Sequence, residues 1–111
     1  MKRIKFITLD QLLEMKANDE KFTLVEVLAP DNFQEGHLSG AINIPADKIE
    51  QEAATRLDEK DVIIVYCGSY ACGASTIAAR TLLDMGYKNT LDFKGGKKTW
   101  KDAGLALVTG Q

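Results

Sequence analysis

Both cysteines of the chain, Cys67 and Cys72, fall in one stretch, VIIVYCGSYACGAS at residues 62–75. A pair of thiols this close can act as a nucleophile with a neighbour, as a disulfide, or as part of a metal site. The placement favours the first. Cys67 follows the β-branched apolar run 61–66, which reads as the best strand of the chain. The loop after it leads straight into residues 74–87, the best helical pattern. In an open α/β sheet, ligands gather at the carboxyl ends of the strands. A helix start aims backbone N–H groups and a partial positive charge at the same place. A thiolate there is expected to be stabilised, with a pKa below the ordinary value of about 8.5. Gly68, Ala71 and Gly73 are small enough for the backbone to curl around a sulfur. The expectation is therefore a nucleophilic Cys67 in a loop lined by Gly68, Ser69, Tyr70, Ala71 and Gly73, where substrate binds. A buried apolar cysteine at a strand end is the alternative.

The elements that must hold this loop alternate between strand and helix. Residues 3–7 (RIKFI) read as an opening strand. Thr8 and Gln11 have capping-box spacing, and Leu9, Leu12 and Leu13 share one side of the helix that follows. Residues 22–28 (FTLVEVL) read as a buried strand, and Pro30–Glu35 as a single helical turn. Residues 36–45 carry Gly36, Gly40 and Pro45, so they read as a loop around a short strand at 41–43. A helix is expected from Asp47 to Leu57. Helix 74–87 should present Ile77, Ala78, Leu82 and Met85 on one face, with Gly86 closing it. Residues 90–93 form a further strand. Gly95 and Gly96 turn the chain into a last helix that Gly104 stops. This alternation implies one α/β domain over residues 1–111, with a mainly parallel sheet and helices on both faces.

The bulk properties remove other function classes. Of 111 residues, 45% are hydrophobic and 27% charged, with a net charge of -2, so neither a nucleic-acid nor a membrane surface is indicated. No apolar segment approaches the roughly 20 residues that cross a bilayer. The first residues lack the apolar core of a signal peptide, so a cytoplasmic, reducing location is expected. Two cysteines there favour reactivity over a structural staple, although packing alone would also account for them. His37 with the two cysteines makes a poor zinc signature, and its turn position suggests a ring bonded to backbone. Trp100, Phe93 and Tyr87 read as packing residues, whereas Tyr70 falls mid-loop and is expected to be exposed.

LVEVLAPDNFQEGHLSGAINIP, VIIVYCGSYACGAS and LLDMGYKNTLDFKGGKKTWKDAG together resemble the signatures of single-domain rhodanese-like sulfurtransferases. The resemblance covers nearly the whole chain. It implies a three-layer α/β fold with a five-stranded sheet. It also implies that Cys67 accepts a sulfane sulfur as a persulfide and hands it to a nucleophile, without a cofactor. Small sulfur donors, thiol acceptors and a candidate protein acceptor follow as partners.

Two features depart from the family pattern. Cys72 stands where many members carry arginine, and Glu26-Val27-Leu28 replaces Asp-x-Arg, so Leu28 removes a second guanidinium. Without those forks a doubly charged donor such as thiosulfate is less favoured than a polysulfide or small persulfide. Lys94, Lys97 and Lys98 offer partial compensation, but a solvated face is the plainer reading of them. Phosphoryl chemistry is disfavoured for the same lack of arginine. Cys72 is a candidate to resolve the Cys67 persulfide as a disulfide, or to guard it from overoxidation. A dithiol–disulfide redox protein and a non-catalytic interaction module stay open as alternatives.

Overall fold

The computed structural model describes residues 3–110. In chain order the elements are β1 (Lys5–Phe6), α1 (Leu9–Ala17), β2 (Phe22–Glu26), α2 (Pro30–Glu35), β3 (Ile42–Asn43), α3 (Ile49–Arg56), β4 (Val62–Tyr66), α4 (Ala74–Asp84), β5 (Thr90–Phe93) and α5 (Gly96–Asp102). One turn of 3-10 helix, Ala46–Lys48, leads into α3. The strands form a single five-stranded sheet in the order β1-β5-β4-β2-β3, and every pairing is parallel.

The sheet is covered on both faces, which is why its central strands are apolar without a polar alternation. Ile63, Ile64, Val65 and Tyr66 of β4 are all buried. Their period of two divides them between two cores. Ile63 and Val65 join Val25, Val27, Ile49 and Ala53 of α3, and Ala78, Ala79 and Leu82 of α4. Ile64 and Tyr66 join Leu24, Phe93, Leu12 of α1 and Trp100 of α5. The three-layer α/β architecture expected from the alternation of elements is therefore present.

Local signals behave as their chemistry requires. Thr8 Oγ1 accepts from Gln11 N–H at 3.1 Å while Thr8 N–H donates to the Gln11 side chain at 3.0 Å, a complete capping box. Helix α4 stops at Asp84, three residues earlier than its pattern suggests. Gly86, with φ of 103°, then takes the left-handed position beyond the cap. The opening strand spans Lys5–Phe6 and not residues 3–7, since it sits at the sheet edge and meets β5 only at Leu91 and Asp92.

One assignment is overturned. Ile77 was expected on the inner face of α4, yet it is 63% exposed. The buried stripe runs through Ser75, Ala78, Ala79, Leu82 and Leu83. A step of 100° per residue puts Ile77 on the side of the helix opposite that stripe. Leu82→Ala should therefore cost about 2–5 kcal/mol through the cavity it leaves. Ile77→Ala should change stability by less than about 0.5 kcal/mol. Urea unfolding followed by circular dichroism measures both, and comparable losses would contradict this packing.

Candidate active site

Parallel register aligns Tyr66 of β4 with Glu26 of β2 and Phe93 of β5. Cys67 and Lys94 are the next residues along β4 and β5, so both stand just beyond the carboxyl edge of the sheet. There the N-terminus of α5 docks. Lys97 N–H donates to the Cys67 carbonyl at 3.0 Å and Lys98 N–H to the Gly68 carbonyl at 2.8 Å. The approach is backbone on backbone. Gly96 has φ of 61°, and a Cβ there would run into the Cys67 carbonyl.

A buried charge pair fixes the same helix from below. Glu26 is fully buried. Its Oε1 accepts from Tyr66 OH at 2.9 Å. Its Oε2 lies 3.0 Å from Lys97 Nζ, an ion pair that is not aligned as a hydrogen bond. Tyr66 OH also accepts from Leu38 N–H at 3.0 Å, and Lys97 Nζ donates to the Asn32 carbonyl at 2.8 Å. Burial pushes the Glu26 carboxyl above its ordinary range, against the opposing pull of Lys97 and Tyr66.

The loop brings the two thiols together. A turn closes it, with Cys72 N–H donating to the Ser69 carbonyl at 3.0 Å. The Cys67 thiol donates to the Cys72 carbonyl at 3.4 Å. Lys94 Nζ donates to that same oxygen at 3.3 Å and to Thr76 Oγ1 at 3.3 Å. Thr76 OH in turn donates to Asp92 Oδ2 at 2.8 Å. Cys67 has no exposed surface, whereas Cys72 is partly open to solvent.

The donors divide between the sulfurs. Gly73 caps α4 without a side-chain hydrogen bond, so the first N–H groups of the helix are free for other acceptors. The N–H of Ser75 and its hydroxyl favour a Cys67 thiolate, but burial and the adjacent Cys72 outweigh them, so the Cys67 thiol is raised. The Ser75 hydroxyl is itself buried and makes no well-formed hydrogen bond. For Cys72 burial also opposes ionisation, but the adjacent Cys67 thiol, the N–H groups of Ala74 and Gly68, and the Lys94 charge together lower its pKa.

Three expectations are thereby corrected. The easily ionised thiol is Cys72 and not Cys67, because strand burial costs Cys67 more than one amide and one hydroxyl return. The glycines of the loop are not there for crowding. At Gly68 and Gly73 a Cβ would meet nothing within 4 Å and neither has a left-handed backbone, so the glycine that close approach demands is Gly96. Nor are the late lysines a uniform solvated face. Lys97 is 13% exposed at its side chain and Lys94 touches the loop, while Lys98 remains 68% exposed. Sequence reasoning missed Ala74 and Ser75, and it named Lys94 only as a partial compensation beside Lys97 and Lys98. The parallel register that sets Lys94 beside Cys67 is what singles it out.

The other loop residues lie at the surface. Ser69 and Gly68 are half-buried, Ala71 and Gly73 exposed, and Tyr70 is 66% exposed, as its mid-loop position implied. Tyr70 stands between two depressions. One, of about 360 Å³, is lined by Ser69, Ala71, Gly95, Lys98, Thr99 and Asp102. The other, of about 240 Å³, is lined by Phe6, Ile7, Thr8 and Lys94. His37 is held away from the thiols, its Nδ1 2.8 Å from the Phe33 carbonyl and its ring stacked on Phe33 at 3.8 Å. Trp100, Phe93 and Tyr87 are buried. Among the described residues no three His, Cys, Asp or Glu side chains gather as metal ligands, and no helix is long and apolar enough to cross a membrane.

A parallel α/β sheet that ends its central strand on a thiol, under a helix start, defines the class of protein. The chain belongs to the rhodanese-like domain family, whose model matches residues 8–103. It is 36% identical over 75 residues to the thiosulfate sulfurtransferase PspE of Escherichia coli, covering 67% of this chain and 69% of that one. It is 28% identical over 94 residues to YrkF of Bacillus subtilis, covering 85% of this chain but only 49% of that protein. The chain thus spans about half the length of some of the curated relatives it matches. Among solved structures, the BH2092 protein of Bacillus halodurans superposes with a TM-score of 0.86 at 27% identity, covering 95% of this chain and 77% of that one.

Two outcomes follow. Gly96→Ala should cost about 1–3 kcal/mol, through strain at its positive φ and collision with the Cys67 carbonyl. Gly68→Ala should be nearly neutral in the same unfolding assay. As pH rises, Cys72 should lose its proton first and Cys67 last. Alkylation by iodoacetamide, read by peptide mass spectrometry, should therefore label Cys72 below the ordinary thiol range and Cys67 only above it. Equal labelling of the two at every pH would refute the assignment.

Proposed function

We propose that this protein is a sulfurtransferase or sulfane-sulfur carrier that holds its cargo as a persulfide on Cys67. The observation that carries the reading is the convergence of both thiols, the first amides of α4 and Lys94 at the carboxyl end of β4. The name of PspE as a thiosulfate sulfurtransferase supports it. A thiolate attacks the outer sulfur of a donor, a new S–S bond forms, and the remainder of the donor leaves with the electron pair. The product, Cys67–S–S⁻, is an anion that donors in the α4 start and the Ser75 hydroxyl favour. An acceptor thiol then attacks the terminal sulfur and frees Cys67.

Donor choice follows from the cations present. Neither Cys72 nor Leu28 supplies a guanidinium, and Lys94 is a single point charge engaged with a carbonyl and a hydroxyl. We infer a polysulfide or a small organic persulfide over thiosulfate, and a reducing, cytoplasmic setting. Gly68, Ser69, Tyr70, Ala71 and Gly73 are the residues that meet donor or acceptor. A second reading, a dithiol–disulfide protein, draws on the two free thiols sharing one loop, with the Cys67 thiol donating to the Cys72 carbonyl. It requires a two-electron oxidant such as a small disulfide.

Intact-mass analysis separates the readings. Reduced protein is incubated with inorganic polysulfide, and separately with thiosulfate, then desalted. Wild type and Cys72→Ser should retain the mass of one sulfur atom, and Cys67→Ser should retain none. Loss of two hydrogens without a sulfur gain would favour the redox protein instead. No change with either donor would leave a rhodanese-like interaction module.

A further inference from the structure

We infer that Cys72 is the entry thiol of the site: it takes the sulfane sulfur from the donor and relays it inward to Cys67. The inference rests on the persulfide reading and assigns the order of events within it. Access comes first. Cys67 has no solvent-exposed surface, and its Sγ points back to the Cys72 carbonyl at 3.4 Å. A donor arriving from solvent meets Cys72, which is partly exposed. Lys94 Nζ binds the Cys72 carbonyl at 3.3 Å and also lines the 240 Å³ depression that runs to Tyr70. The outer thiol therefore has the open approach, and a cation stands beside its own backbone.

The donors provide for both stations. Gly68 N–H, Ala74 N–H and Lys94 favour an anion at Cys72. Ser75 N–H and the Ser75 hydroxyl face Cys67. The Ser75 hydroxyl is fully buried and lacks a well-formed partner, which is a costly state for a polar group unless the working cycle supplies one. A persulfide anion on Cys67 is such a partner.

Each step balances without an outside oxidant or reductant. The Cys72 thiolate attacks the outer sulfur of R–S–SH, the Cys72 S–S bond forms, the R–S to sulfur bond breaks, and RS⁻ leaves with the electron pair. Cys72–S–SH then faces Cys67–SH. The Cys67 sulfur attacks the outer sulfur, the Cys72 S–S bond breaks, and the Cys67 proton passes to the departing Cys72 sulfur. The products are Cys67–S–SH and Cys72–SH. The Cys67 S–H already donates to the Cys72 carbonyl at 3.4 Å, so the proton starts beside the residue that receives it.

Rapid-quench loading with inorganic polysulfide tests the order. Samples are trapped with an alkylating agent and fragmented by mass spectrometry to place the extra sulfur. In wild type the sulfur should appear on Cys72 first and move to Cys67. Cys67→Ser should acquire sulfur on Cys72 within about three-fold of the wild-type rate, then lose it on desalting. Cys72→Ser and Cys72→Ala should both load Cys67 at least about ten-fold more slowly, yet reach the same end point. Sulfur seen first on Cys67 in wild type, or none gained by Cys67→Ser at any time, overturns the relay while leaving the carrier intact. Wild-type protein that never gains sulfur removes the carrier and the relay together.

Discussion

The site depends on the seating of α5 against the end of β4. A strand that ends in the interior leaves carbonyls without partners, and a helix start leaves N–H groups without acceptors. Here each need meets the other, through Lys97 and Lys98 N–H on the Cys67 and Gly68 carbonyls. Only a residue without a Cβ lets the two backbones come that close, and Gly96 is that residue. The Glu26–Lys97 pair holds the docked helix in place from the sheet side. Such a pair adds little net stability, but removing one partner strands a buried charge at a cost of about 3–5 kcal/mol. The pair thus works more as a constraint on geometry than as a source of stability.

With the Cys67 and Gly68 carbonyls committed to α5, the amides of the loop and of the α4 start are left to face the sulfurs. The amides at the start of α4 and the amide of Gly68 are shared between two thiols instead of serving one. This division follows from the residue at position 72. An arginine there would direct a fixed charge at one sulfur, whereas a cysteine adds a second acidic group that competes for the same donors. The outcome is a partly exposed thiol that ionises more readily and a buried one that holds its proton more tightly.

Much of this was legible in the chain. The β-branched run before Cys67, the capping box at Thr8 and the glycines at 86, 95, 96 and 104 each dictate a local conformation, and each adopts it. The loop could be located because a strand, a cysteine and a helix start follow one another without interruption. What escaped was whatever depends on neighbours distant in sequence. Lys97 reads as one more surface lysine until Glu26, 71 positions earlier, is placed opposite it. Ile77 is apolar, but α4 turns it away from the sheet while Ala78, Ala79, Leu82 and Leu83 face inward. The relative acidity of the thiols turns on burial, which spacing alone does not reveal.

The sheet closes at both margins with strands of two residues, Lys5–Phe6 and Ile42–Asn43. Outer strands this short offer few open main-chain groups for an incoming segment to pair with. Blunt borders of this kind leave little template for edge-to-edge polymerisation when copies of the fold are crowded together.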